Sequence, residues 1–312
     1  MSDPVPPIRS SHLQVPLLRT LAYFDVFHHP LTVEELERFS DRTLHDRKAI
    51  EAALQDLATR GLVQFCDGHW ALREVVKAVD TRMLAEARAQ QRMPKAITMS
   101  RLIARFPFVR AVFISGSLSK GRLAADGDID FFIITAPGRL WVARTLLVLY
   151  KKLFLLNSHR DLCVNYFLDT DHLTVEDRNR FTAMEVVTLL PMYGNGTTEA
   201  FFAGNSWAFG MNPGARPRPS REVAIGDTPR KRRWERRLSG RVGDVLDEWC
   251  MKLTWRFWNW KFSRMDRRSF EVALRTRTYV SKHHPRNFQQ HVLDGLQQRL
   301  TVLEQRFGAP LQ

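Results

Sequence analysis

Cysteine is scarce in this sequence, and its cysteines are far apart. Cys66, Cys163 and Cys250 form no CxxC pair in a chain of 312 residues. This spacing argues against a disulfide-stapled scaffold and against a zinc ribbon, both of which need several closely spaced cysteines. Widely separated thiols suit a reducing compartment, so the sequence predicts a cytoplasmic protein.

A long uncharged hydrophobic run is missing as well. The most apolar stretch, residues 140–156, contains Arg144, Lys151 and Lys152, and such charges are costly in the middle of a bilayer. Residues 1–11 contain no apolar segment of the kind found in secretory signals. We therefore expect neither a transmembrane segment nor a secretory signal.

Acidic residues are few in the last third of the chain, which makes the charge uneven. Residues 1–215 hold 25 Lys and Arg against 23 Asp and Glu, net +2, whereas residues 216–312 hold 22 against 10, net +12. A positive field of this kind attracts polyanions such as nucleic acid, nucleotides or anionic lipid. A solvated basic helical surface would give the same count, and both interpretations stay open here.

The overall composition is globular, with 44% apolar and 26% charged residues. Its length suits two or three domains. The first is expected over residues 13–75. Thr32 and Glu35 have the spacing of a helix capping box, a later helix ends at Gly61, and two short strands surround an Asp-Gly turn at 67–68.

Three helices followed by a hairpin resemble a winged helix-turn-helix domain. In DNA-binding members of that family, the third helix enters the major groove and needs basic side chains. Residues 17–75 instead carry 7 Lys and Arg against 10 Asp and Glu, net −3. We therefore expect a scaffolding or dimer-forming role for this domain, followed by one or two connecting helices over 76–106.

The chemistry-bearing segment begins where two predicted buried strands, 111–115 and 131–135, enclose a polar loop. Asp128 and Asp130 stand two residues apart at the start of the second strand, so their side chains face the same side. Two neighbouring carboxylates repel each other unless a cation lies between them, and Mg²⁺ prefers carboxylate and phosphate oxygens. The spacing therefore predicts a magnesium site.

The loop between the strands supplies groups suited to phosphate. Gly116 allows the backbone to approach a phosphate closely, and Ser117 offers a hydroxyl and an N–H at the start of a short helix or turn over 118–124. Lys120 and Arg122 lie nearby and would balance the charge of a triphosphate.

The stretch GSLSKGRLAADGDIDFFII resembles the nucleotidyltransferase superfamily of the DNA polymerase β type, whose signature is Gly-Ser followed by Asp-x-Asp on the next strand. The resemblance implies an α/β core with a small mixed sheet, here residues 107–193. It also implies that Asp128 and Asp130 bind Mg²⁺ and that Gly116 and Ser117 hold phosphates. The reaction would move a nucleoside monophosphate from an NTP, with ATP as the expected substrate, to an acceptor hydroxyl on a small molecule, a protein or an RNA.

The resemblance also implies a third carboxylate on a later strand, and here the sequence departs from the pattern. On the predicted strand 162–168 the position facing the aspartates is Asn165, which cannot accept a proton. Glu185, in a predicted helix, is the first candidate for the base, with Asp161 and Asp169 as weaker ones. The alternative is a non-catalytic regulator that binds nucleotide in a degenerate site and binds nucleic acid as well.

The rest of the chain is predicted as a loop or linker over 194–229 and a basic helical domain over 230–312. Four tryptophans alternate there with Lys and Arg: Trp249, Trp255, Trp258 and Trp260. Such a pattern suits RNA binding, an anionic membrane surface, or tryptophans that pack on the core. The expected architecture is thus α+β and multidomain: winged helix, nucleotidyltransferase core, basic helical C-terminal domain.

Overall fold

The computed structural model describes residues 11–156, 158, 160–194, 196–220 and 227–311. Within these residues the protein is α+β. Helices surround a mixed six-stranded sheet, and a two-stranded antiparallel sheet lies near the N-terminus.

Three helices and a hairpin form the N-terminal part of the chain. Their bounds are α1 Ser11–Asp25, α2 Val33–Phe39, α3 Arg47–Thr59, β1 Gln64–Cys66 and β2 His69–Ala71. The capping box of α2 is present, because the Thr32 hydroxyl accepts from the Glu35 N–H while the Glu35 carboxylate accepts from the Thr32 N–H. The predicted order of elements is confirmed here, and the resemblance to a winged helix stays a prediction.

A single helix of 30 residues, α4 Val75–Ala104, links this part to the central sheet. Near its start, Arg82 forms an ion pair of 2.6 Å with Glu35 of α2. Near its end, Met99 and Ile103 are buried in the apolar core beside the sheet. The helices predicted over 76–106 are therefore one continuous element.

The central sheet has the strand order β6-β3-β4-β5-β8-β7. Its strands are β3 Val109–Ser115, β4 Asp130–Thr135, β5 Cys163–Asp169, β6 Leu190–Tyr193, β7 Thr276–Arg277 and β8 Val280–Lys282. The pair β4–β5 is parallel and is joined by helix α6 Leu140–Phe154, and the other pairs are antiparallel. Phe131 and Phe132 enter different apolar cores on the two faces, which explains the uninterrupted apolar run.

Two short helices lie near the end of the central sheet at which strand β3 terminates. Helix α5 Gly116–Ser119 follows β3 directly and starts two residues before the short helix predicted at 118–124. Helix α7 Arg180–Thr188 precedes β6, and its N-cap Asn179 accepts from the Thr182 N–H. The helix predicted around Glu185 is therefore confirmed.

The segment after α7 contains regular structure, part of it within the loop or linker predicted over 194–229. Strand β6 pairs with β3 at the edge of the sheet, where a proline such as Pro191 is tolerated. Helices α8 Thr197–Gly204 and α9 Ser206–Gly210 follow. The side chains of Phe201 and Phe202 pack on Phe113, so a short apolar run outweighs the abundance of Gly, Pro and Asn around it.

The C-terminal region contains the helices α10 Pro229–Arg237, α11 Arg241–Lys261, α12 Arg267–Ala273 and α13 Phe288–Phe307. It is helical as predicted, yet it also completes the sheet, since β8 pairs with β5. Helix α13 returns to the N-terminal helices, with Arg299 Nε 2.7 Å from Asp25 Oδ2. Among the described residues, no helix has both the length and the apolar character needed to cross a bilayer.

Candidate active site

The turn from β3 into α5 brings the backbone against a carboxylate. Gly116 has φ +64°, in the region that favours glycine. A Cβ atom at this position would lie 2.4 Å from Asp130 Oδ2. Gly116 is therefore required twice, for its own backbone angle and for the close approach of Asp130.

Asp128 and Asp130 are held by the backbone of the residue between them. The side chain of Ile129 is 0% exposed, its N–H donates to the Arg160 carbonyl, and its carbonyl accepts from the Cys163 N–H. This extended pairing directs Ile129 into the core. The two-residue spacing predicts that both aspartates lie on the opposite side, and this placement stays a prediction.

The charge of Asp128 acts on the Asp130 carboxyl group. Burial, followed by the negative charge of Asp128, raises the pKa of Asp130 to about 7. Burial raises the pKa of the Cys163 thiol to about 12, and both aspartates contribute to that shift. Both carboxylates therefore act on the same buried thiol, and their mutual repulsion makes the site receptive to a cation.

Asn165 lies against this pair, as the sequence predicts. Its Nδ2 donates to Asp130 Oδ1 at 2.6 Å, and its Oδ1 accepts from Cys163 Sγ at 3.0 Å. The amide thus fixes the orientation of the Asp130 carboxylate through a hydrogen bond that an aspartate could not donate.

Glu185 approaches the site from α7 as half of an ion pair. Lys120 Nζ lies 2.7 Å from Glu185 Oε1 and donates to the Gly116 carbonyl at 3.0 Å. Burial lowers the pKa of Lys120, while the charge of Glu185 acts in the opposite direction. Glu185 and Lys120 both affect the pKa of Asp130, so all three groups share one electrostatic environment.

Ser117 and Arg122 lie at the same turn. The Ser117 carbonyl accepts from the backbone N–H groups of Lys120 and Arg122, which closes the short loop. The Arg122 guanidinium is stacked 5.1 Å from the ring centre of Phe27, at the end of α1. Burial lowers the pKa of Arg122, so this cation belongs to the junction between the N-terminal helices and the site.

The two weaker base candidates have structural contacts away from the pair. Asp161 Oδ1 lies 2.7 Å from Arg92 Nη2 on α4. Asp169 accepts from the His172 N–H and lies at the far end of β5, opposite Thr135 rather than Asp130. Of the three base candidates, Glu185 is therefore the one whose charge affects the pKa of Asp130 in the acidic pair, Asp128 and Asp130.

Sequence reasoning missed several neighbours of the site. Lys151, on the buried face of α6, has its pKa lowered by burial, and Cys163 and Asp128 act against that shift. The His283 N–H donates to the Asn165 carbonyl at 2.8 Å. Burial lowers the pKa of His284 to about 4, and Glu185 opposes this shift. Of these neighbours, only Lys151 could have been noticed in the sequence, as a lysine in an otherwise apolar helix. His283 and His284 lie near the site because β8, far along the chain, pairs with β5.

A cavity of about 560 Å³ lies between β6, α8, α9 and the segment 217–220. Arg218 in its wall donates to the Ser119 carbonyl at the end of α5. Neither aspartate of the pair lines this cavity. The acidic pair, Asp128 and Asp130, therefore lies outside this cavity.

The donor set fits a magnesium ion that is shared with a substrate. Within the described residues, no group of three His, Cys, Asp or Glu side chains is arranged to hold a metal. Two neighbouring carboxylates remain, those of Asp128 and Asp130, and Asp130 Oδ2 lies directly against the backbone of Gly116. Mg²⁺ commonly takes one or two protein carboxylates and completes its coordination with phosphate oxygens and water.

No protein-family model matches the chain, and neither the curated proteins nor the solved structures searched contain a match. The fold defines an α+β protein with a mixed central sheet. Any statement about activity therefore depends on the chemistry of the site itself.

Proposed function

We propose that the protein is a Mg²⁺-dependent nucleotidyltransferase that moves a nucleoside monophosphate from an NTP, with ATP as the expected donor, to an acceptor hydroxyl. One observation carries this proposal. Asp130 lies against the Gly116 turn, and burial together with the charge of Asp128 raises the pKa of Asp130 to about 7. Such a shift marks a site that gains free energy when a cation arrives.

Each residue has a role that follows from its position. Asp128 and Asp130 would hold Mg²⁺, which when bound neutralises phosphate charge and orients the triphosphate. Asn165 fixes the Asp130 carboxylate through its 2.6 Å hydrogen bond. Gly116 and Ser117 receive the phosphates at the start of α5.

The transfer breaks a phosphoanhydride bond of the NTP and forms a phosphoester bond to the acceptor. The acceptor oxygen bonds to the α-phosphorus, the bond from that phosphorus to the bridging oxygen breaks, and pyrophosphate leaves. The acceptor proton passes to Glu185. Before substrate binds, the Glu185 carboxylate is paired with Lys120 at 2.7 Å. When the triphosphate binds, Lys120 pairs with a phosphate oxygen instead, and Glu185 is then able to accept the proton.

A specific observation supports the second candidate, a nucleotide-binding regulator without turnover. Asn165 occupies the position beside Asp130 where the resemblance implies a third carboxylate. The carboxylate of Glu185, the first candidate for the base, is also paired with Lys120. This candidate keeps Mg²⁺ and nucleotide binding but releases no pyrophosphate.

The test incubates the protein with Mg²⁺ and each α-labelled NTP, first alone and then with tRNA. Labelled protein or labelled tRNA is measured together with released pyrophosphate. The double variant Asp128→Asn/Asp130→Asn should lose all label transfer, whereas Asp126→Asn, an exposed aspartate of the same loop, should keep it. Pyrophosphate release that is equal in all three proteins would contradict the proposal, and Mg²⁺-dependent nucleotide binding without release would favour the regulator.

A further inference from the structure

Helix α11 is attached to the rest of the protein along one face. Gly243, Asp247 and Trp258 are its buried residues. Asp247 Oδ1 accepts from the Val142 N–H of α6 at 2.8 Å, and the ring of Trp258 lies 4.8 Å from the Arg144 guanidinium. Sequence analysis left open whether the tryptophans pack on the core, and the structure confirms this for Trp258.

A second face of α11 is also apolar but is exposed to solvent. We call it the α11 stripe, and its members are Val242, Leu246, Trp249, Leu253, Phe257 and Trp260. Their spacing follows i, i+4, i+7, i+11, i+15 and i+18, which aligns them along one side of a helix. Trp249, Leu253 and Trp260 are 60%, 59% and 74% exposed.

The stripe is too large to be ordinary surface scatter. With 150–250 Å² for each aromatic side chain, the exposed parts of the stripe amount to roughly 500 Å², at the upper end for a contiguous apolar patch on a monomer. Val245 beside it is exposed too, and so are Leu153 and Phe154 at the end of the neighbouring helix α6. Patches of this size mark contact surfaces.

The segment that carries the stripe is also rich in basic side chains. Residues 230–268, which span α10 to the start of α12, contain 13 Lys and Arg against 5 Asp and Glu, net +8. Arg241, Lys252 and Arg256 of α11 are exposed, and so are Arg233 and Arg236 of α10. The surface therefore joins an apolar stripe to a positive field.

We infer that the α11 stripe binds the surface of an anionic lipid bilayer, with the helix lying in the plane of the interface. A helix with one apolar face, tryptophans and flanking Lys and Arg is suited to the boundary between headgroups and acyl chains. The basic side chains add electrostatic attraction to anionic lipid headgroups. Helix α11 would hold the protein at the membrane. The acidic pair lies at β4 and does not belong to the membrane-binding helix.

Two other occupants fit the stripe less well. RNA stacks on aromatic rings, yet Val242, Leu246 and Leu253 offer no surface on which a base can stack. A second copy would bring two basic segments together, and like charges oppose that contact. Hydrocarbon accepts both the aliphatic and the aromatic members, and anionic headgroups match the charge.

The test compares two triple variants in vesicle flotation. The stripe variant is Trp249→Gln/Leu253→Gln/Trp260→Gln, and the control is Val76→Gln/Met83→Gln/Leu84→Gln on α4, whose side chains are similarly exposed at 63%, 62% and 58%. Vesicles contain phosphatidylcholine either alone or mixed with phosphatidylglycerol. Melting curves confirm that both variants remain folded, as exposed side chains allow.

The inference expects the wild type and the α4 control to float with the mixed vesicles and to float far less with phosphatidylcholine alone. The stripe variant should partition roughly a hundredfold less. Failure of the wild type to float, or equal flotation of the stripe variant, overturns the inference. Without flotation, a dimer in sedimentation that the stripe variant dissociates would assign the stripe to a second copy, and a tRNA gel shift that it abolishes would assign it to RNA.

Discussion

The acidic pair and helix α11 break the usual rules of burial in opposite ways. At the pair, a carboxylate is buried beside a second one, so that the pKa of Asp130 rises to about 7. On α11, Trp249 and Trp260 face solvent although Trp258, in the same helix, is buried. Both arrangements cost free energy in the isolated chain, and such costs persist where a bound partner offsets them. A cation at the acidic pair and an apolar cover over the α11 stripe would offset these costs.

The largest stability difference should appear between the two faces of α11. Trp258→Ala removes a ring packed against Trp141 and Arg144 and should lower the free energy of unfolding by about 3–5 kcal/mol. Trp249→Ala should change it by less than about 0.5 kcal/mol. Denaturant unfolding of both variants measures the difference, and equal losses would mean that the stripe is covered in solution.

The second contrast lies at the acidic pair, between two glycines with positive φ. Gly116→Ala places a Cβ 2.4 Å from Asp130 Oδ2 and should cost about 2–4 kcal/mol of unfolding free energy together with all label transfer. Gly121→Ala, with φ +75° and open space around the Cβ, should cost about 1 kcal/mol from backbone strain alone. Similar losses in the two variants would show that the Asp130 carboxylate does not rest on Gly116.

The variant Asn165→Asp tests whether a cation binds at the acidic pair. It replaces the donor to Asp130 Oδ1 by a third negative charge, so the metal-free protein should lose about 1–3 kcal/mol of unfolding free energy. Mg²⁺ should restore the unfolding free energy of this variant. Asn165→Ala removes the hydrogen bond without adding charge and serves as the control, for which Mg²⁺ should restore little. Melting curves with and without Mg²⁺ distinguish the two, and an Asp variant insensitive to Mg²⁺ would argue against a metal at this position.

The smallest effect concerns pH at the junction of α6 and α11. Burial raises the pKa of Asp247 to about 6, while the Val142 N–H that it accepts from favours the charged form. Since the folded state holds this proton more tightly than the unfolded state, unfolding free energy should fall as pH rises from about 4 to 6.

Asp247→Asn should remove about 1–2 kcal/mol of that decline, as measured by unfolding across this pH range. Glu248→Gln, at an exposed position beside it, is the control and should keep the wild-type slope. An unchanged slope in Asp247→Asn would place the titrating group elsewhere.

Local patterns in the sequence predicted the acidic pair and its supports. The apolar runs predicted β3 and β4, and the spacing along the strands predicted Asn165 beside Asp130. Asn165 reaches Asp130 although the β4–β5 register shifts at this point. These relations need only strand periodicity and the pairing of neighbouring strands. They were therefore readable without knowledge of the whole fold.

Contacts that join distant parts of the chain were not readable. The proline in β6 hid an edge strand, and the stacking of Arg122 on Phe27 depends on how the N-terminal helices meet the core. In α11 both the buried and the exposed face are apolar, so spacing alone could not separate Trp258 from Trp260. Only the packing against α6 decides which face is covered.

Calorimetric titration of the protein with a non-hydrolysable ATP analogue, with and without Mg²⁺, tests the central claim most directly. Wild type and Asp126→Asn should bind the analogue only when Mg²⁺ is present. Asp130→Asn should lose at least about 100-fold in that affinity, because it removes a carboxylate of the pair. Binding that is independent of Mg²⁺, or equal in all three proteins, would contradict the assignment of Asp128 and Asp130 as the site of a metal-bound nucleotide.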